Sequence, residues 1–289
     1  PTYTGLVGRN AVVEISNTLD SKVRVPVSQA GGVWYVKGDD AYGLSDEEST
    51  ITIPVKSDYD YTVDLPAWIT GEKVKEGYNL TLAENTTGNA RKGTVTFTSE
   101  RGAKKIVFLQ FGINDIAGTY EATYSVYDND QLVEETKTFK LVQDVKNEEL
   151  FYAEELSAIG GLVIPLKFDS ETYQLSVFAG QYLGHIASKE WYLYTVVTSK
   201  AGYVHADAAL AYSAIAEFDL DDEVVMPSFP FKDEKGFSFA TSDGTIKSYL
   251  DGLEVYVFKS QSPSFSGGNA LGYYDMFKNL SIKKVELKE

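Results

Sequence analysis

Cysteine is absent from the 289 residues. Within this chain that excludes disulfides, thiolate metal ligands and cysteine nucleophiles. Histidine is nearly as scarce. His185 and His205 form no His-x-x-x-His pair, which is too little for a structural zinc or a Ser-His-Asp triad. Arginine occurs only as Arg9, Arg24, Arg91 and Arg101, so no guanidinium fork for phosphate or carboxylate exists beyond residue 101. No stretch approaches the ~20 apolar residues that cross a bilayer as a helix. No Gly-x-Ser-x-Gly elbow or phosphate-binding Gly-x-x-x-x-Gly-Lys-Ser/Thr loop occurs. A Ser-x-x-Lys string at Ser281–Lys284 lies on an expected strand, where positions three apart face opposite sides. No internal repeat of fixed period stands out, and the two halves of the chain share no common motif.

What is present is acid and aromatic surface. The net charge is −16, divided as −3 over residues 1–115 and −13 over residues 116–289. A domain so acidic repels phosphate backbones and anionic head groups, which excludes nucleic-acid partners. The 20 Tyr and 15 Phe suit a β-rich protein, because flat rings fit a pleated surface. The length fits about two domains.

Residues 50–111 hold three runs that alternate apolar and polar, separated by polar turns, as in half-buried antiparallel strands. Within them a Pro66-x-Trp68-Ile69 corner is followed by Asn-Thr-Thr-Gly-Asn-Ala-Arg-Lys-Gly-Thr (Asn85 to Thr94) and a strand closing on Gln110. This pattern, over residues 35–111, resembles the BACON domain, a small immunoglobulin-like β-sandwich of surface and secreted proteins of Bacteroidetes. The resemblance implies an exported lipoprotein ectodomain on the outer membrane surface or in the periplasm, held only by a lipid anchor outside this chain. It also implies carbohydrate binding without catalysis and without a cofactor. Its pattern positions Trp68, Asn85 and Arg91 read as structural.

Two short strands are expected earlier, at residues 11–15 and 22–28, with a turn over Asn17–Ser21 and Pro26 at an edge. They either complete the sandwich or end something else. A domain boundary is placed at Gly112–Asp115, giving a sandwich over 1–114 and an acidic β-rich domain over 115–289. Strands are expected at 119–127, 134–142, 150–156, 162–168, 173–178, 191–198, 237–241, 253–259 and 280–287, which suggests an antiparallel barrel or second sandwich. The Gly118-Thr119-Tyr120 opening and the turns at Phe168-Asp169 and Gly180-Gln181 weakly resemble calycin-like barrels. Leu210, Ala214 and Phe218 at four-residue spacing predict one short helix over 206–218.

The acidic groups Asp128-Asn129-Asp130 and Asp219-x-Asp221-Asp222-Glu223 offer oxygen ligands but lack the Gly and Glu spacing of an EF-hand. They read as solvated turns, and no metal site is assigned. Aromatic residues beside glycines and polar turns are the better candidates, since a ring buries the apolar face of a sugar while amides hold its hydroxyls. The candidates are Tyr273, Tyr274, Phe265 and Asn269 in an expected loop, with Tyr203 and Trp34 elsewhere. Trp68 and Trp191 read as core. The expected ligands are neutral glycans or host glycoproteins, bound by a monomer. The alternatives are a structural or adhesion role with the sandwich as spacer, or a small apolar ligand inside the second domain.

Without a recognisable nucleophile or histidine constellation, no hydrolysis of common polysaccharides is expected in a reducing-sugar assay. Reproducible release abolished by one Asp or Glu substitution would overturn that.

Overall fold

The computed structural model describes residues 7–16, 22–222 and 224–285. The chain is mainly β, and among the described residues helix is limited to 3-10 turns at Ile113–Asp115 and Ala187–Lys189. No helix among the described residues is long and apolar enough to cross a membrane. Two compact units are present: Pro1–Asn85 with Arg91–Gln110, and Thr86–Ala90 with Phe111–Glu289.

The first unit begins with a ribbon, β1 (Arg9–Ser16) and β2 (Lys22–Gln29), whose strands pair only with each other. The turn expected at Asn17–Ser21 lies outside the described residues. The sandwich then uses β3 (Trp34–Val36), β4 (Ala41–Leu44), β5 (Ser49–Ile53), β6 (Val55–Ser57) and β7 (Tyr61–Asp64). It continues with β8 (Ile69–Val74), β9 (Gly77–Leu82), β10 (Arg91–Ser99) and β11 (Gly102–Gln110). One sheet has the order β4-β11-β10-β7, with β4 parallel to β11, and the other β5-β9-β8; β3 and β6 form a separate pair. Alternation puts Val95, Phe97, Ile106 and Phe108 on the inner face of the first sheet. Ile53, Ile69, Leu80 and Leu82 meet them from the second sheet, all buried.

The Pro-x-Trp corner closes this sandwich. Pro66 and Trp68 lie over Gly93 so tightly that a Cβ there would fall 2.6 Å from the proline ring. Arg91 stacks on the Trp68 ring, its guanidinium carbon 4.5 Å from the centroid. Its Nε and Nη2 both donate to Gln110 Oε1, at 2.9 and 2.7 Å, and Nη2 also donates to the Ala83 carbonyl. The fully buried Gln110 in turn donates from Nε2 to the carbonyls of Glu47 and Ala83. Arg91 and Gln110 thus clamp the β10–β11 hairpin to the loops beside it.

The second unit is a large curled sheet with one separate two-stranded hairpin. Its strands are β12 (Gly118–Asp128), β13 (Gln131–Gln143), β14 (Leu150–Glu154), β15 (Val163–Asp169) and β16 (Gln174–Phe178). Next come β17 (Tyr182–Ile186), β18 (Trp191–Ser199), β19 (Val204–His205), β20 (Ala211–Ile215) and β21 (Ser228–Pro230). The chain ends with the hairpin β22 (Phe237–Thr241) and β23 (Gly244–Ser248), then β24 (Leu250–Phe258) and the long β25 (Ala270–Lys284). The order is β17-β18-β24-β25-β12-β13-β14-β15-β16-β20. The seam is drawn in by Gly180 N donating to Thr195 O at 2.7 Å and Thr195 N to Gln181 O at 2.9 Å. The interior is filled by large buried side chains, among them Tyr120, Phe139, Phe151, Phe168, Phe229 and Phe277.

The helix expected over 206–218 is not formed. Asp207 makes a turn by accepting the amide of Ala209, and Ala211–Ile215 is the strand β20, paired with β16. A spacing of four fits a helix, but it is also twice the strand period. Leu210, Tyr212, Ala214, Ala216 and Phe218 therefore share one side of an extended chain. Asn129 and Asp130, both with positive φ, make the two-residue turn between β12 and β13.

Arg91→Ala removes the clamp and leaves the buried Gln110 carbonyl without its charged donor. A loss of about 2–4 kcal/mol is expected. Hydrogen exchange should show faster β10–β11 amides and unchanged β12–β25 amides.

Candidate functional site

In the strands β18 and β24, Leu193, Thr195, Val197, Leu253, Val255 and Val257 point into the curled sheet. The alternate residues face outward. On that outer face the register aligns four tyrosines across four adjacent strands: Tyr182 of β17 with Tyr194 of β18, Tyr194 with Tyr256 of β24, and Tyr256 with Tyr273 of β25. A second row holds His185, Tyr192, Phe258 and Ala270. Neighbouring strands lie about 4.8 Å apart, so the tyrosine row spans about 14 Å.

The rings touch. Tyr182 and Tyr194 centroids are 5.3 Å apart, Tyr194 and Phe258 5.7 Å, and His185 stacks on Tyr192 at 4.3 Å. Tyr194 and Phe258 are buried and form the floor with Val196. Tyr182 and Tyr273, 49% and 50% exposed, stand at the two ends. Burial, with the neighbouring Tyr182 and Tyr192, raises the Tyr194 phenol, so it remains a neutral donor well above neutral pH.

Two features of β25 shape the strip. The register slips between Val255 and Tyr256 and again between Val257 and Phe258, so Tyr274 and Leu271 are extra residues on β25. Each slip is a bulge that re-aims nearby side chains outward. Gly272, at φ +131°, sits between them in backbone that a side chain rarely adopts. The loop before β25 folds back on the strip. Asn269 ties it by accepting from Ser260 Oγ and donating to the Ser262 and Ser264 carbonyls. This holds Phe265 edge-on to Tyr256 and Phe258, at 5.4 and 5.3 Å.

Of the residues singled out from sequence, the structure brings Tyr273 and Phe265 together on this strip. Tyr274 is adjacent in the chain, with its ring against Trp191. Residues 270–274 belong to β25 and not to a loop, because the two bulges break the alternation that marks a strand. The Asn269 amide is spent within its own loop. Tyr203 lies in another aromatic group, edge-on to Phe239, which also contacts His205. Trp34 packs half-buried against the first sandwich core beside Tyr61. Sequence reading missed Tyr182, Tyr192, Tyr194 and Tyr256. The available signal was the spacing of two in Tyr192-x-Tyr194 and Tyr256-x-Phe258, which places both rings of each pair on one face.

Further along the same outer face, Glu254 is buried, and no hydrogen-bond partner for its Oε2 is found among the described residues. Burial pushes its carboxyl up to about 7; Lys278 opposes this and Asp251 adds to it. Lys278 is itself paired to Asp251 at 2.8 Å, and Asp251 accepts from Thr198 Oγ1 at 2.7 Å. Among the described residues, no group of three or more His, Asp or Glu side chains is placed to hold a metal ion.

No family model matches the chain, and no curated protein or solved structure matches it.

The raised Glu254 carboxyl sets a pH dependence. The folded state holds this proton up to about 7, whereas the unfolded chain loses it near 4.5. Stability from this group is therefore fully present below pH 4.5 and falls as pH rises to 7, by about 3 kcal/mol. Glu254→Gln should raise Tm by several degrees at pH 8 and leave it unchanged at pH 4, as read by calorimetry. An equal shift at both pH values would contradict the assignment.

Proposed function

We propose that this chain is a non-enzymatic, cell-surface carbohydrate-binding protein of BACON-like architecture that takes neutral glycans on the outer tyrosine strip of its second unit. The observation that carries this reading is the cross-strand row Tyr182–Tyr194–Tyr256–Tyr273. A row with half-exposed rings at its two ends suits the apolar C–H faces of sugar units, and phenol hydroxyls suit their hydroxyl groups. The strip is pre-formed on strands, so little ordering is lost on binding.

Electrostatics narrows the ligand. The second unit contains no arginine, and residues 116–289 carry −13. Sulfated and uronic-acid glycans are repelled, and neutral ones are not. The packed interior of the curled sheet favours the outer face over an apolar ligand held inside. The sandwich, with its BACON resemblance, supports export to the outer membrane surface or periplasm as a lipoprotein ectodomain.

The test is a neutral and an acidic glycan array probed with the wild type and with Tyr182→Ala/Tyr273→Ala. These two rings are half exposed, so their removal should leave the fold intact by circular dichroism. Loss of two stacking faces should weaken neutral-glycan binding at least about tenfold, or ~1.4 kcal/mol. Preference for acidic glycans, or full binding by the double variant, would refute the proposal. Binding to host proteins without any glycan response would favour the adhesion reading.

A further inference from the structure

The exposed ribbon repeats the pairing geometry of the closing hairpin of the sandwich, with apolar residues at the same inner-face positions. In β10–β11 the first register pair is Arg91 with Gln110; in β1–β2 it is Arg9 with Gln29. Arg91 Nε and Nη2 donate to Gln110 Oε1 at 2.9 and 2.7 Å, and Arg9 Nε and Nη2 donate to Gln29 Oε1 at 3.0 and 2.8 Å. Counting inward from that pair, Val95 opposite Ile106 corresponds to Val13 opposite Val25. The four inner-face residues of the hairpin, Val95, Phe97, Ile106 and Phe108, correspond to Val13, Ile15, Val25 and Val27. The first set is 0% exposed, whereas the second is 48%, 59%, 40% and 46% exposed. The opposite face of the ribbon is largely polar, with Glu14 paired to Lys22 and Arg24. Both hairpins end on glutamine and lead within a few residues into the first strand of a new fold, Trp34 after Gln29 and Gly118 after Gln110.

We propose that β1–β2 is the closing hairpin of another sandwich of the β3–β11 kind, whose remaining strands are chain lying N-terminal to the ribbon. The sandwich in this chain shows what covers such a hairpin. Its inner face meets Ile53, Ile69, Leu80 and Leu82, and its two edges meet β7 and β4. The missing segment therefore supplies apolar residues at alternate positions on two or three strands, and carbonyls for the Gln29 amide where Glu47 and Ala83 serve Gln110. One difference follows from Pro26, which corresponds to Val107. The Val107 amide donates to Asp40 O at 2.9 Å on the outer edge, and proline has no such hydrogen. The strand equivalent to β4 is held there by one bond fewer. This assignment rests on the fold alone and stands apart from the glycan reading. It makes the sandwich in this chain one member of a tandem array.

The test compares this 289-residue chain with the chain extended by whatever its gene encodes immediately before Pro1. Hydrogen exchange is read by mass spectrometry and molecular mass by sedimentation. In the extended chain, the amides of residues 10–16, 23–25 and 27–29 should exchange at least about 100-fold more slowly than in the shorter one, at a monomer mass. Val13→Asp in the extended chain should abolish that slowing and leave β10–β11 amides unchanged. Three outcomes overturn the proposal: no coding sequence there, equal exchange in both chains, or slow exchange in the shorter chain that grows with concentration as it dimerises. The last would assign the face to a second copy.

Discussion

The second unit depends on the backbone pairing of one strand. β25 bonds to β12 on one side, and on the other to β24 and, further along, to β21. A strand paired on both sides cannot slide, because a one-residue slip would reverse every side chain between interior and solvent. Held in this way, β25 can carry extra residues at Leu271 and Tyr274 without losing register further along, where Phe277, Leu280 and Ile282 enter the core. The bulges bring Tyr273 onto the same outer row as Tyr256. The site is thus a product of the ladder, and the loop carrying Phe265 is an addition to it.

The first unit depends on a side-chain device of a different kind. Gln110 is fully buried, and burying an amide is costly unless its donors and acceptor are matched. Arg91 supplies the charged donor, and the carbonyls of Glu47 and Ala83 accept. The clamp joins the last hairpin to loops far away in the chain, so it forms only when the whole sandwich has closed. The same Arg–Gln pair joins the two strands of the ribbon, where the apolar face beside it is exposed. One motif in two settings separates what a hairpin does for itself from what its sandwich does for it.

Acidity and aromatic surface act together in the proposed function. The charge that excludes phosphate and sulfate ligands leaves rings as the recognition surface, and rings recognise shape and apolar area more than charge. The buried Glu254 lies on the same face as the strip, where its proton is retained to about pH 7. It couples the stability of β24 to pH.

Much of the fold was legible in the chain alone. Alternation marked most strands, because a half-buried strand must alternate, and the Pro-x-Trp corner and the closing Gln110 marked the sandwich. The absence of cysteine, the scarcity of histidine and the restriction of arginine to the first part narrowed the chemistry before any coordinates. Tertiary structure decided the rest, for identifiable reasons. A spacing of four at Leu210, Ala214 and Phe218 satisfies helix and strand alike, and only pairing with β16 selected the strand. The bulges at Leu271 and Tyr274 hid a strand inside an apparent loop. Tyr182, Tyr194, Tyr256 and Tyr273 lie far apart in sequence, and register alone sets them in one row. The ribbon's kinship with β10–β11 escaped a search for fixed periods, because it lies in pair geometry and inner-face identity, and few residues are shared. Sequence determined which residues alternate and which charges are missing; the lateral order of strands decided which of them meet.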